Sequence, residues 1–212
     1  MFKGVIGAVI GGLIGAAVWA AVTYFTGYEL GFVAWIVGGI VGLGMGVLAK
    51  DDANTATGVI AALVAVGAVA LGKFGAIHFI IEKETAKMLA SEGPVTMEDA
   101  KIIMADQLVE EYERAGKTLT WAEGMSMQDA TTVADYPADL QKDLEVRWAA
   151  APAETQEQYR QTYEHNRTEG IAAFKSEIRD SAFKESFGLF DILWLVLAVG
   201  TAFKLGAGLD ND

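Results

Sequence analysis

The sequence predicts an all-α membrane protein with about four transmembrane helices and a helical extramembrane domain. Residues 4–25, 31–49 and 57–81 are apolar runs with almost no charge. Each can cross a hydrocarbon core, which takes about 20 helical residues. A shorter apolar run covers residues 187–205. Residues 82–187 contain 22 of the 28 acidic and 12 of the 16 basic side chains, so this segment is predicted to face water.

Charge and composition exclude several classes of protein. The chain has a net charge of −12 although its mean hydropathy is +0.30, and residues 82–187 account for −10 of that charge. Binding to nucleic acid and adhesion to anionic headgroups both need clustered Lys and Arg, so neither is expected. The chain has no cysteine, which excludes disulfides, zinc-thiolate sites and thiol nucleophiles.

Residues 1–81 are predicted to form a three-helix, glycine-rich membrane module. We expect the first run to be an uncleaved span, because a second apolar run follows after the short turn at residues 26–30. A turn this short makes the first two spans an antiparallel hairpin. The second span ends at the polar segment 50–52, and Thr57 is the predicted N-cap of the third span.

Residues 82–186 are predicted to form an acidic, helical extramembrane domain. Thr96 and Asp99 have the spacing of a capping box, and Pro137 suits the first turn of a helix. Three helices are therefore expected, at about residues 96–115, 137–150 and 152–184. Residues 187–212 are predicted to be a fourth transmembrane helix followed by a short acidic tail. The alternative for this last run is an amphipathic or buried helix lying against the other three spans.

Glycines recur at every fourth position along the first two spans. Such stripes let helix backbones approach closely in lipid, where no hydrophobic force draws helices together. The favoured interpretation is packing within the chain. The alternative is that one stripe faces a second copy and builds an oligomer, which could surround a pore. The predicted helix-packing residues are Gly7, Gly11, Gly15, Gly38, Gly42 and Gly46.

Two ionisable residues of the third span and one of the fourth are the candidate functional groups. An ionisable group inside a membrane is costly and needs a partner. Lys73 lies near the end of the third span and Asp191 near the start of the fourth, so both are expected close to the same interface. We predict an ion pair that joins the two spans. A proton or ion relay through Lys73, His78 and Asp191 is the functional alternative.

The sequence contains no recognisable catalytic or metal-binding motif. The acidic residues between Glu98 and Glu113 have the spacing of a solvated helix face and lack the DxDxDG pattern of a calcium loop. His165 is the only histidine of the extramembrane segment, and neither a GxSxG elbow nor a GxxxxGK[ST] loop occurs. We therefore expect no catalytic activity, no cofactor and no bound metal.

Parts of the membrane module resemble a known family. The segments Trp19–Ala21, 26–31 and Ala34–Gly39 are similar to a glycine-rich hairpin module of uncharacterised bacterial inner-membrane proteins. Phe190–Trp194 and Thr201–Lys204 are similar to the span that often closes such proteins. The resemblance covers about half of the chain and implies no activity. Relatives with an amino-terminal zinc ribbon imply a cytoplasmic N-terminus, whereas this chain lacks the ribbon.

Together these features predict a multi-pass protein of the bacterial inner membrane that acts as a structural or interaction protein. Both termini are expected in the cytoplasm and residues 82–187 in the periplasm. Besides the lipid bilayer, the expected partner is a protein or a second copy bound through the glycine stripes or the acidic domain. The alternative function is a small oligomeric channel or transporter that uses Lys73, His78 and Asp191.

Overall fold

The computed structural model describes residues 1–28 and 31–209. Within these residues all the regular structure is helical, which confirms the predicted fold class. Seven α-helices occur in the order α1 (Phe2–Thr26), α2 (Phe32–Ala49), α3 (Thr55–Glu92), α4 (Met97–Arg114), α5 (Ala138–Ala150), α6 (Ala153–Glu185) and α7 (Leu189–Gly206). Short 3-10 turns cover Lys50–Asp52 and Val133–Asp135. Part of the predicted turn, Glu29 and Leu30, and the end of the acidic tail lie outside the described residues.

Four of these helices are long and apolar enough to cross a membrane. They are α1, α2 together with the 3-10 turn that follows it, α3 and α7. The length of α7 is 18 residues, or about 27 Å at roughly 1.5 Å per residue, which is close to a hydrocarbon thickness of about 30 Å. The coarse prediction of a helical membrane protein is therefore confirmed.

The chain divides into two compact units, which we call the membrane unit and the acidic unit. The membrane unit consists of Met1–Met88 and the residues from Lys175 onward, and the acidic unit of Leu89–Phe174. Residues 82–88 and 175–186, which the sequence assigned to the extramembrane domain, thus belong to the membrane unit. The acidic unit holds 17 acidic and 7 basic side chains, so it carries the whole net charge of −10 of residues 82–187.

The membrane unit is a four-helix bundle in which α1 and α7 each contact both α2 and α3. A Cβ atom placed on Gly12 of α1 would lie 3.3 Å from the Ala68 side chain of α3, and one on Gly206 of α7 would lie 2.6 Å from the Ala61 side chain of α3. We name the two ends of the bundle after the residues of α3 that lie there, the Thr57 end and the Lys73 end. The start of α1 and the end of α7 both lie at the Thr57 end.

The first glycine stripe packs against α2, as the hairpin prediction requires. A Cβ on Gly7 would lie 2.1 Å from the carbonyl oxygen of Gly44, and one on Gly11 would lie 2.7 Å from the carbonyl oxygen of Ile40. Gly15 meets the Val37 side chain at 2.9 Å in the same way. The partner face of α2 therefore contains Gly44, which is not part of the second predicted stripe.

The second glycine stripe packs against α7. A Cβ on Gly38 would lie 2.3 Å from the carbonyl oxygen of Ala198, and one on Gly42 would lie 2.9 Å from the Cα atom of Ala202. Further along, a Cβ on Gly46 would lie 2.6 Å from the Leu205 carbonyl oxygen. The two stripes therefore do not face each other, because α2 uses one face for α1 and another for α7. Small residues of α7, which the sequence analysis did not single out, complete this contact: Ala198, Ala202 and Gly206.

The start of α3 differs from the prediction, because Asn54 is the N-cap in place of Thr57. The helix begins at Thr55, and the Asn54 side-chain oxygen accepts hydrogen bonds from the backbone N–H of Ala56 (2.8 Å) and of Thr57 (3.3 Å). Thr57 lies inside the first turn and is fully buried, where its hydroxyl approaches the Gly206 carbonyl oxygen at 2.7 Å. Thr57 thus joins α3 to the end of α7.

The acidic unit is built around α4. The capping box predicted at its start is confirmed, since Thr96 and Asp99 exchange side-chain to backbone hydrogen bonds. Apolar residues of α4 pack against α5, which ends at Ala150 as predicted but begins at Ala138, so that Pro137 is its N-cap and not a residue of its first turn. Two ion pairs join the outer surfaces of these helices, Lys101–Glu145 at 2.7 Å and Arg147–Glu111 at 2.8 Å.

A partly buried polar pair fixes the loop before α5 onto α4. The Tyr136 hydroxyl donates a hydrogen bond of 2.6 Å to the Asp106 carboxylate, and the Tyr136 side chain is buried. Burial raises the pKa of the Asp106 carboxyl above its ordinary value, while the hydrogen bond from Tyr136 opposes this shift. Burial and the same hydrogen bond raise the pKa of the Tyr136 phenol.

Adjacent glycines of α2 allow a matched test of helix packing. We expect Gly38→Ala to destabilise the membrane unit by about 1 to 3 kcal/mol, because the added methyl group forces the α7 backbone away. Gly39 has no atom within 4 Å of its added Cβ, so Gly39→Ala should be neutral or stabilising by up to about 1 kcal/mol. Thermal unfolding in detergent measures both effects, and equal melting temperatures would contradict the packing role.

The Tyr136–Asp106 pair predicts a pH-dependent loss of stability. Because the folded-state pKa of Asp106 is raised, its contribution to stability is greatest at acidic pH and is lost as the pH rises. Tyr136→Phe removes the hydrogen bond that limits this loss. The substitution should therefore lower the free energy of unfolding by about 1.5 to 3 kcal/mol near pH 7 and by less near pH 4.

Hydrogen exchange of the α4 amides measures the stability of this unit, and Tyr112→Phe is the control. The Tyr112 hydroxyl donates a 3.2 Å hydrogen bond to Asp143, whose carboxylate reaches solvent. Water can replace that donor, so Tyr112→Phe should have a smaller effect that changes little with pH. A Tyr136→Phe effect that did not depend on pH would contradict the role of the Asp106 carboxylate.

Candidate functional site

The candidate site is a buried lysine near one end of the bundle. Lys73 lies 18 residues after Thr55, the first residue of α3, which places it about 27 Å along the helix axis. If Thr55 marks one side of a hydrocarbon core about 30 Å thick, Lys73 lies just inside the other. Only 1% of its side chain is exposed, so the ammonium group depends on partners within the protein.

Lys73 and Asp191, the two residues that the sequence paired, lie in direct contact. The Lys73 Nζ atom is 3.0 Å from Asp191 Oδ1, and 24% of the Asp191 side chain is exposed. Lys73 also donates a hydrogen bond to the carbonyl oxygen of Ser186. The Phe187 ring centroid is 4.9 Å from Nζ and the Trp19 ring centroid is 6.0 Å away, distances at which aromatic faces attract a cation.

These contacts gather at the break between α6 and α7. Helix α6 ends at Glu185, so its last carbonyl groups have no helical partner, and Lys73 binds the carbonyl of Ser186 just beyond that end. Helix α7 begins at Leu189, and Asp191 Oδ2 accepts a 2.8 Å hydrogen bond from the Gly188 N–H. A cation near a helix C-terminus and a carboxylate in a first helical turn are both favoured by the helix dipole.

Asp191 therefore has two roles. One carboxylate oxygen neutralises Lys73, and the other caps the start of α7. Lys73 in turn connects three helices, because its own position is on α3, its carbonyl partner follows α6 and its carboxylate partner is on α7.

The last turns of α6 run antiparallel to α3 and lead to this site. Lys175 pairs with Glu82 at 2.8 Å, and the Phe183 and Phe74 rings lie edge to face with centroids 5.9 Å apart. Each step of four residues forward along α6 matches a step of four back along α3. This regular contact was not predicted, since the sequence analysis assigned the end of α6 to the extramembrane domain. The repeat of Lys175, Arg179 and Phe183 at every fourth position was the signal that could have identified it.

His78 does not join the Lys73–Asp191 pair. It lies on α3 between Phe74 and Glu82, and its Nδ1 atom is 3.5 Å from the Arg179 guanidinium of α6. The three groups of the proposed relay are therefore divided between two neighbouring contacts. Within the described residues, no three side chains of the metal-ligating types lie together.

Chemically, the site is an ion pair that fixes the backbone. A buried pair is expensive to break, because removing one partner leaves the other charge without compensation. Its hydrogen bonds reach main-chain groups at both sides of the helix break, at Ser186 and Gly188. The arrangement holds the end of α6 and the start of α7 against α3.

A double-mutant cycle tests the energetic coupling of the pair. Asp191→Asn removes the charge but keeps an oxygen that can cap α7, and Lys73→Met removes the ammonium while keeping the apolar stem. Each single change should destabilise the bundle, by up to about 3 to 5 kcal/mol for a fully buried pair and less where Asp191 reaches solvent.

In the double variant the two losses should not add, with a coupling of about 0.5 to 3 kcal/mol in thermal unfolding in detergent. Glu84→Gln is a matched control, since the exposed Glu84–Lys87 pair should contribute little. Additive losses at Lys73 and Asp191 would show that the pair contributes no coupling energy.

Comparison of the chain with protein-family models, with curated proteins and with solved structures finds no match in any of the three. The resemblance of the hairpin and of the closing span to a bacterial inner-membrane family therefore stays a prediction from the sequence.

Proposed function

We propose that the chain is an integral protein of the bacterial inner membrane that acts as a structural or interaction protein without catalytic activity. Its acidic unit would bind a protein partner, while the bundle anchors that unit in the membrane. Both termini would lie in the cytoplasm and the acidic unit in the periplasm.

The observation that carries this proposal is the use of the intramembrane charges and glycines in contacts within the chain. Lys73 is paired with Asp191 and tied to the backbone at Ser186, as expected of a structural link. Each predicted glycine stripe packs against a helix of the same chain. These contacts account for the most unusual residues of the membrane unit without invoking transport.

The acidic unit is the part of the chain best suited to a partner. It carries a net charge of −10 and lies in sequence between two membrane spans. Its helices have a buried apolar core of their own, so much of the charge on its outer surface lies outside the core that supports the fold. Complementary charge on a partner would give such a surface specificity and a fast association rate.

A channel or transporter remains the second candidate function, and Lys73, His78 and Asp191 are the residues that favour it. A relay needs these groups to exchange protons along one path. The contact of His78 with Arg179, separate from the Lys73–Asp191 pair, gives more support to the structural role.

Photo-crosslinking can test the interaction role. A benzoylphenylalanine at Val146, whose side chain is 69% exposed on α5, should form an adduct with another protein in living cells. The matched control is Leu63 of α3, which is 67% exposed on a membrane span and should yield no such adduct.

Purified protein in liposomes should conduct no ions above the background. A flux that disappears in Lys73→Met, without an adduct from Val146, would favour the channel.

The same chain allows the orientation to be measured cleanly, because it contains no cysteine. A membrane-impermeant maleimide should label Val146→Cys in intact spheroplasts and Asp51→Cys only after lysis. The reverse labelling pattern would overturn the proposed orientation but not the interaction role.

A further inference from the structure

A groove at the Thr57 end of the bundle has the features of a lipid site. It lies between the C-terminal ends of α2 and α7, is about half open to the outside and has a volume of about 420 Å³. Leu43, Val47 and Leu205 form an apolar wall, and Lys50 and Asp51 lie at one side. The candidate span formed by α2 and its 3-10 turn ends at Asp52, so these two charged residues belong at the boundary between hydrocarbon and headgroups.

The backbone of Lys50 is strained. Its φ is 47° and its ψ is −120°, and within the described part of the chain it is the one residue other than glycine with a positive φ. The other positive-φ positions are all glycines, namely Gly27, Gly93, Gly116, Gly124 and Gly208. A glycine would adopt this conformation more easily, so the strain at Lys50 supports a role for its side chain.

The charges beside the groove fit a headgroup that carries both signs. Neither Lys50 nor Asp51 makes an ion pair with another residue in the regions 1–28 and 31–209. Lys50 can neutralise a phosphate, and Asp51 can neutralise an amine. The C-terminal ends of α2 and α7 carry partial negative charge, which also favours an amine over a second anion.

We propose that this groove binds one glycerophospholipid with an ethanolamine-type headgroup. Its phosphate contacts Lys50, its ammonium group contacts Asp51, and one acyl chain lies along Leu43, Val47 and Leu205. The site differs from general contact with the bilayer because it depends on two specific charges at one end of the bundle. It is independent of the proposed interaction role, since it involves none of the acidic unit.

Native mass spectrometry of the full-length protein in mild detergent can test the site. Titration with dioleoyl phosphatidylethanolamine should show one bound lipid at low concentration, and phosphatidylglycerol should bind more weakly. Lys50→Gln should weaken the first lipid by about tenfold, the equivalent of about 1.4 kcal/mol. Lys3→Gln is the matched control, because Lys3 is an exposed lysine near the same end of the bundle that does not line the groove. The affinity of the Lys3→Gln variant for the first lipid should be unchanged.

Two further variants separate the parts of the proposal. Asp51→Asn should reduce the preference for phosphatidylethanolamine over phosphatidylglycerol. Lys50→Gly should raise the melting temperature in lipid-free detergent, because it relieves the strained backbone, and should weaken the lipid as Lys50→Gln does. Three outcomes would overturn the proposal. The first is an equal loss of lipid affinity in Lys50→Gln and Lys3→Gln, and the second is unchanged affinity in both. The third is a lower melting temperature for Lys50→Gly.

Discussion

A single buried ammonium group determines how the fourth span joins the membrane unit. Lys73 is almost completely removed from solvent, so its charge must be balanced within the protein. The balance comes from Asp191 and from the carbonyl of Ser186, which lie on the two sides of one helix break. Because both partners must reach the same atom, α6 has to end and α7 has to begin at the level of Lys73. The capping of α7 by Asp191 and the antiparallel contact of α6 with α3 reinforce this arrangement.

Backbone contact provides the rest of the cohesion of the bundle. In lipid the apolar side chains on the outside gain nothing by turning inward, so helices associate through close packing and a few polar contacts. In α1, Gly7 packs closely against the backbone of Gly44, and in α2, Gly38 packs closely against the backbone of Ala198. Helix α2 therefore contributes two glycine-containing faces, which explains why it holds more glycines than one stripe needs.

The two compact units use different physical means to remain folded. The membrane unit depends on close contact between small residues and on charged links such as Lys73–Asp191 and Lys175–Glu82. The acidic unit has an aromatic and aliphatic core around Leu108 and Leu144 with polar links such as Tyr136–Asp106. A water-facing unit can place its excess charge outside that core at little cost, because water screens it. A surface that the fold does not need for stability is free to serve recognition, and this separation supports an interaction role.

Local patterns in the sequence determined the fold class, the four spans, the capping box at Thr96 and the pairing of Lys73 with Asp191. The fold class, the spans and the capping box follow from short-range rules on helix length and helix starts. The pairing follows from the cost of placing an ionisable group in the membrane. Only the tertiary structure decided that the Gly38 stripe faces α7, that the Thr57 hydroxyl contacts the Gly206 carbonyl oxygen, and that the end of α6 packs on α3. The cap at Asn54 is local, and the preference of Asn over Thr at an N-cap was the signal that could have identified it. Glycine carries no side chain to identify its neighbour, so a stripe predicts close contact without naming the partner. The partner is decided by which helix can satisfy packing and charge at the same time, and that depends on the whole chain.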